Sequence, residues 1–147
     1  MMNIWIINGP NLNLIGLRDI NIYGEATWDE TLGKLRSEFQ SSTLNLHYFH
    51  SNHEGYLIDK LQEIGFEENT YGIINPGGLT HTSISLRDCI DAINTPFVEV
   101  HISDITNREE FRKVSYITDV CTQSIIGKGI EGYRQGINYL LARYVSK

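Results

Sequence analysis

Glu99 and His101 stand two positions apart in Phe97-Val98-Glu99-Val100-His101-Ile102, a run otherwise built of β-forming apolar residues. A strand repeats every two residues, so both side chains leave the same face. A carboxylate beside an imidazole orients the ring and favours its protonated form, which makes His101 a candidate general acid. A satisfied ion pair that covers the end of a sheet is the alternative for the same two residues.

Three further clusters carry uncharged donors and acceptors. Asn8-Gly9-Pro10-Asn11-Leu12-Asn13 follows the apolar run Ile4–Ile7, Ser51-Asn52-His53-Glu54-Gly55 follows a second run, and Asn75-Pro76-Gly77-Gly78 with Thr80-His81-Thr82 follows a third. Taken singly, each reads as a turn or a helix cap. In a parallel sheet all of these loops leave the same edge, the carboxyl ends of the strands, and there they converge on one crevice. Arg108 and Arg112 lie four apart, on one face of a helical turn, and suit a carboxylate or a polyol. Pairing with Glu109, Glu110 or Asp104 on a solvated surface is the default for such a charge run.

Two other constellations carry less. His47, His50 and His53 are spaced by three, but odd separations on a strand point to opposite faces, so the ligands diverge and no metal is expected. Gly127-Lys128-Gly129-Ile130-Glu131-Gly132 fits a dinucleotide-type glycine pattern, yet no βαβ unit follows it. These glycines read as a tight turn and close packing of the last helix.

The elements that must position these residues alternate. Strands are expected at Met2–Asn8, Leu44–His50, Tyr71–Pro76, Phe97–Ile102 and Ser124–Gly127, short and rich in Ile, Val and aromatics as buried parallel strands are. Trp28, Leu32, Leu35 and Phe39 form one helical stripe, started by the capping box Thr27-x-x-Glu30. Leu57, Leu61 and Ile64 mark a second helix from about Ser51-x-x-Glu54 to Gly65. Leu86, Ile90 and Ile93 mark a third over about 80–94. Ile130, Tyr133, Ile137, Leu140 and Tyr144 mark the last. The pattern predicts an α/β protein: one flavodoxin-like domain, a doubly wound five-stranded parallel sheet of order 2-1-3-4-5 with helices on both faces.

From Asn8 to about Ala26 the chain lacks periodicity and contains Gly9, Gly16 and Gly24. Connections of this length in compact domains are usually functional lids or disordered segments, and the segment at about 16–25, which holds Arg18 and Tyr23, reads as a lid.

Composition narrows the partners. The chain has 147 residues, 41% hydrophobic and 20% charged, with a formal net charge of −6. The absence of any Lys/Arg run argues against nucleic acid or an anionic membrane surface as partner. The start of the chain has no basic n-region, and no segment reaches the ~20 apolar residues of a membrane span. Cys89 and Cys121 lack CxxC spacing and read as reduced thiols of a cytoplasmic protein.

Taken together, these residues resemble the type II 3-dehydroquinate dehydratases. Asn8-Gly-Pro-Asn-Leu-Asn-Leu14, Gly16-x-Arg18, Tyr23-Gly24, Ser51-Asn-His-Glu-Gly55, Asn75-Pro-Gly-Gly78, Thr80-His-Thr-Ser83, Leu86-Arg-Asp88, Glu99-Val-His-Ile-Ser103, Arg108-Glu-Glu-Phe-Arg112 and Gly132-Tyr133 match that family's motifs in order, from residue 3 to about 141. The resemblance implies a flavodoxin-like subunit assembled as a homododecamer of trimers, no cofactor, and a small-molecule substrate, 3-dehydroquinate. The implied reaction is anti elimination of water through an enolate to 3-dehydroshikimate, serving aromatic biosynthesis or quinate breakdown.

By position, Tyr23 is implied as the base that takes the proton beside the ketone, with Arg18 lowering the phenol's pKa. Asn11 would hold a water that stabilises the enolate, and His101, oriented by Glu99, would protonate the leaving hydroxyl. Asn75 and the backbone amides of Ile102 and Ser103 would take the carboxylate. His81 and Arg112 would hold ring hydroxyls, and Asp88 would reach the neighbouring subunit's site. The chemistry is coherent: ionising a phenol of pKa near 10 at pH 7 takes ~3 units, about 4 kcal/mol, which a guanidinium in a water-poor site supplies in large part.

The chain departs from the family pattern at several positions. Arg18-Asp19-Ile20 stands where Arg-Glu-Pro is usual, Asp104 where Asn is common, Lys113 where His is common, and His50 where Gln is frequent. Gln123-Ser124 occupies a position that often carries Gly. Asp104 would add negative charge near a site for an anion. The rival from another class is a non-catalytic flavodoxin-like module that binds a small anionic ligand; Arg18 with Tyr23 favours the enzyme.

Overall fold

A computed structural model of the chain describes residues 1–145, and at Tyr23 the backbone alone. The elements run β1 (Met2–Asn8), α1 (Ile20–Tyr23), α2 (Trp28–Phe39), β2 (Leu44–His50), α3 (Glu54–Ile64), β3 (Thr70–Asn75), α4 (Ile84–Ala92), β4 (Phe97–His101), β5 (Gln123–Ile126) and α5 (Glu131–Tyr144). The sheet has the order β2-β1-β3-β4-β5 and every neighbouring pair is parallel. This is the flavodoxin-like order expected from the sequence. From β1 the chain winds outward to β2, then crosses back to β3, so the switch point lies between β1 and β3. The register aligns Asn8 with His50 on one side and with Asn75 on the other, which sets three strand ends level.

Alternation along β1 sorts the core into two layers. Ile4 and Ile6 pack with Trp28, Leu32 and Leu35 of α2 and with Ile137 and Leu140 of α5. Ile7 faces the opposite side with Leu57, Leu61 and Ile64 of α3 and Leu86 and Ile90 of α4. Each such side chain, fully buried, contributes about 1.5–3 kcal/mol, so the two helical layers fasten the sheet from both faces. Among the described residues no helix is long and apolar enough to cross a membrane.

Several boundaries differ from expectation for identifiable reasons. Residues Gly77–His81 form a separate 3-10 turn, and α4 begins only at Ile84 because the Ser83 hydroxyl accepts from the Leu86 amide and caps it there. The helix after β2 begins at Glu54, and Ser51 does not cap it: the Ser51 hydroxyl accepts from the His53 amide, while Glu54 accepts from Ser83. The Thr27 cap is as expected, accepting from the Glu30 amide. Strand β3 ends at Asn75, since Pro76 has no N–H to continue the ladder. Arg108 and Arg112 do not share a helical turn; a short 3-10 turn spans only Glu110–Arg112 and Arg108 precedes it in extended backbone.

Candidate active site

The loops that follow β1 and β3 are locked together by two glycines. A Cβ on Gly9 would sit 2.4 Å from the Pro76 carbonyl oxygen, and one on Gly77 would sit 2.8 Å from that of Pro10. Gly77 also has a φ of 61°, which side chains resist. Glycine at both positions lets the two backbones touch, and the contact brings Asn11 and Asn75 to one crevice at the β1/β3 switch point. Asn11 is itself left-handed, with φ 71°, and its amide donates to the Asn52 side chain at 2.9 Å.

The crevice is a cavity of about 150 Å³. Arg18, Asn11, Asn75, His81, His101 and Arg112 line it, as do Ile102, Ser103 and Arg108 just past the end of β4. The sequence placed nearly all of these in one site. A larger groove of about 480 Å³ lies at the other end of the sheet among Met2, Leu44, Tyr71 and Tyr144, far from these groups. Asp88 lies exposed on α4 and does not line the crevice of its own chain. Tyr23 closes α1, and its side chain, the expected base, lies outside the described residues.

Glu99 is fully buried and His101 is 5% exposed. The His101 Nε2 lies 2.7 Å from Glu99 Oε2. A carboxylate only accepts, so Nε2 carries the proton in this pair and Nδ1 is the nitrogen left for chemistry. Burial alone would push the Glu99 carboxyl up. The hydrogen bond and charge of His101, with the hydroxyls of Ser115 and Ser124, outweigh that and hold it at about 2. Glu99 is therefore ionised at neutral pH.

His81 donates from Nδ1 to the Val114 carbonyl at 2.7 Å. Burial, above all, lowers its pKa, and His101, Arg112 and Arg108 add to the effect, against a hydrogen bond to Val114 that raises it. A neutral His81 so anchored offers Nε2 as an acceptor, the group a ligand hydroxyl needs. Three arginines and two asparagine amides on the same walls give the crevice its capacity for a carboxylate.

Glu109 sits between the two arginines, 3.0 Å from Arg112 and 3.8 Å from Arg108. Both sequence readings of this run therefore hold in part: the arginines line the crevice and are also paired. Asp104 is not turned toward the crevice. Its carboxylate takes Thr106 through both amide and hydroxyl and the Asn107 side chain, closing a local turn. Lys113 pairs with Glu110 on the surface. The histidines at 47, 50 and 53 go separate ways: His47 stacks on Trp5 with Nε2 at Asn3, and His53 meets Tyr56 edge to face.

Tyr133 was legible as a core residue and as part of the Gly132-Tyr133 motif, without a role at the site. It is fully buried, and its hydroxyl donates to Asn8 at 2.8 Å and accepts from the Asn75 Nδ2 at 3.0 Å. The phenol is thereby the anchor that fixes how Asn75 faces the crevice. Its placement on the apolar stripe of α5, in the helix's first turn, was the signal that its hydroxyl must find a buried partner.

Comparison with known proteins converges on the same assignment. Residues 2–141 match the family model described as dehydroquinase class II. A 3-dehydroquinate dehydratase of Caldicellulosiruptor bescii is 46% identical over 133 residues, 90% of this chain and 92% of that protein. A catabolic 3-dehydroquinase 2 of Aspergillus fumigatus is 41% identical, covering 99% of this chain and 97% of its own. The crystal structure of a type II dehydroquinase from Butyrivibrio crossotus superposes with a TM-score of 0.90 at 40% identity, over 95% of this chain and 97% of that one. With the sheet order, the crevice at its switch point and the match over nearly its whole length, the chain belongs to the class II dehydroquinase family.

Proposed function

We propose that this protein removes water from 3-dehydroquinate to give 3-dehydroshikimate, by anti elimination through an enolate. The observation that carries this reading is His101, held by the buried Glu99 with one nitrogen spare, in the wall of a crevice that also presents Arg18, Asn75 and His81. The relatives named as dehydratases support the substrate.

In this reading Tyr23 takes the proton beside the ketone and Arg18 stabilises its phenolate. Asn11 holds a water that supports the developing enolate. His101 delivers a proton from Nδ1 to the departing hydroxyl. Asn75 and the amides of Ile102 and Ser103 hold the carboxylate, while Arg112 and the Nε2 of His81 hold ring hydroxyls. The segment at about 16–25 closes over the site and excludes water; Gly16 and Gly24, both at positive φ, flank α1 within it. The side chains supply acid and base themselves. The free thiols Cys89 and Cys121 fit a cytoplasmic protein.

The same proposal includes assembly as a homododecamer of trimers, with Asp88 completing a neighbour's site. Exposed Ile84, Phe111, Val114 and Tyr116 support it, because they belong to the segments that border Asp88 and the crevice and invite cover. Adding 3-dehydroquinate and following the ultraviolet absorbance of the conjugated product tests the activity. Light scattering tests the assembly, and mixing Asp88→Ala with Arg18→Ala chains should restore some activity through hybrid sites. No absorbance change, or an active monomer, overturns the respective part.

A further inference from the structure

Glu99 is a buried carboxylate whose two oxygens are used differently. Oε2 accepts from His101 Nε2 at 2.7 Å and from the Ser115 hydroxyl, with Thr80 at 3.5 Å. Oε1 accepts from the Thr118 hydroxyl at 2.6 Å and from the Ser124 hydroxyl at 2.5 Å. The register of β4 against β5 sets Ser124 directly beside Glu99, so the second contact is fixed by the sheet. Thr118 comes from the turn before β5, a segment fastened from α4: Arg87 donates to the Tyr116 carbonyl at 2.7 Å and to both oxygens of Asp119, one of them at 2.9 Å.

A carboxylate rotates about its last bond, and His101 and Ser115, both on Oε2, do not by themselves fix that rotation. Two hydroxyls on Oε1 do, because they hold the far oxygen in place and leave Oε2 aimed at the ring. They also replace water around a charge that burial would otherwise neutralise.

We propose that Ser124, acting with Thr118, is a positioning residue of the acid: its hydroxyl holds the far oxygen of Glu99 and thereby keeps Glu99 ionised and aimed at His101. The proposal rests on the dehydratase reading for its kinetic consequence, but its structural content stands without substrate. The titratable and charged groups around Glu99 and its partner are His101 on β4, the Cys121 thiol ahead of β5, and His81, Arg108 and Arg112 across the crevice. None of these is altered by a change at Ser124.

The test compares wild type with Ser124→Ala and Ser124→Thr by two readouts. One is the pH titration of the Glu99 side-chain carboxyl carbon in 13C-labelled protein without ligand. The other is kcat and KM with 3-dehydroquinate at neutral pH. A hydrogen bond that favours the ionised form lowers the carboxyl's pKa, so its loss should raise the onset of protonation by about half a pH unit or more. At neutral pH kcat should fall severalfold with KM within about twofold, and Ser124→Thr should restore both the titration and kcat. A folded Ser124→Ala protein with the wild-type carboxyl titration overturns the proposal, as does a threonine variant that titrates like alanine. Ser124→Gly removes the same hydroxyl and serves in place of alanine if that variant does not fold. Wild-type protein without turnover would sink the dehydratase reading, while the carboxyl titration would still decide the role of Ser124.

Discussion

Tyr133 and Asn75 are 58 positions apart in the chain and 3.0 Å apart in the fold, with the asparagine amide donating to the phenol. The last helix therefore reaches through the core to set a group at the carboxyl end of β3. Site and core share one hydrogen-bond network here, which also includes Asn8.

Tyr133→Phe should separate the two roles of that phenol. The ring still packs, but the Asn75 amide and the Asn8 oxygen lose their buried partner, a loss of about 1–3 kcal/mol in stability. Urea unfolding should show it as a lower midpoint with an unchanged slope. If Asn75 holds the substrate carboxylate, KM should rise more than kcat falls.

Acid should destabilise this protein through Glu99. The carboxyl ordinarily titrates near 4.5 and is held at about 2 in the fold. Because the folded value is depressed, its contribution is fully present above about 4.5 and is lost as pH falls through about 2. Urea midpoints measured across that window should fall less steeply in Glu99→Gln than in wild type. Parallel slopes would rule out this origin.

The proposed base and its activator are separable. Tyr23→Phe should lower turnover by about 10²–10⁴, the usual worth of a general base, at every pH. Arg18→Ala should also be severe, but its residual activity should climb toward alkaline pH as the phenol ionises unaided. His101→Ala should impair loss of the hydroxyl yet leave exchange of the proton beside the ketone visible in deuterated water. Wild-type exchange in Tyr23→Phe would show that Tyr23 is not the base.

Catalysis should proceed without a Schiff base. The five lysines, Lys34, Lys60, Lys113, Lys128 and Lys147, lie in charged, helical or terminal stretches of the sequence, and the described crevice is lined by none of them. A Schiff base needs a lysine amine within reach of the substrate ketone. Borohydride added with 3-dehydroquinate should leave activity intact, and mass spectrometry should find no reduced adduct.

The sheet was legible because each strand is a short apolar run ended by Asn, Gly, Pro or Ser, and because the stripe of α2 follows a clear period. Local competition decided the rest. Ser51 looked like a helix cap by spacing, but its hydroxyl found the His53 amide first. Asp104 looked like an unwelcome charge, yet Thr106 and Asn107 are its near neighbours and claim both oxygens. Glu99 and His101 stood out because the pair lies within one strand. Their supports at Ser115, Thr118 and Ser124 did not, nor did the hold of Tyr133 on Asn8 and Asn75, because those contacts span 16 to 125 positions and depend on register and loop path. A hydroxyl has no sequence pattern that announces what it will bind.

The interlock of Gly9 with Pro76 and of Gly77 with Pro10 gives the crevice one stiff jaw. Because those two loops are packed backbone to backbone, a ligand that meets them should order little, and its binding should carry a small conformational penalty on that side. Small carboxylates that mimic only the part of the substrate held there should bind chains whose 16–25 segment has been cut, even where turnover is gone. If the 16–25 segment closes as proposed, inhibitors aimed at the interlocked loops need not wait for that closure.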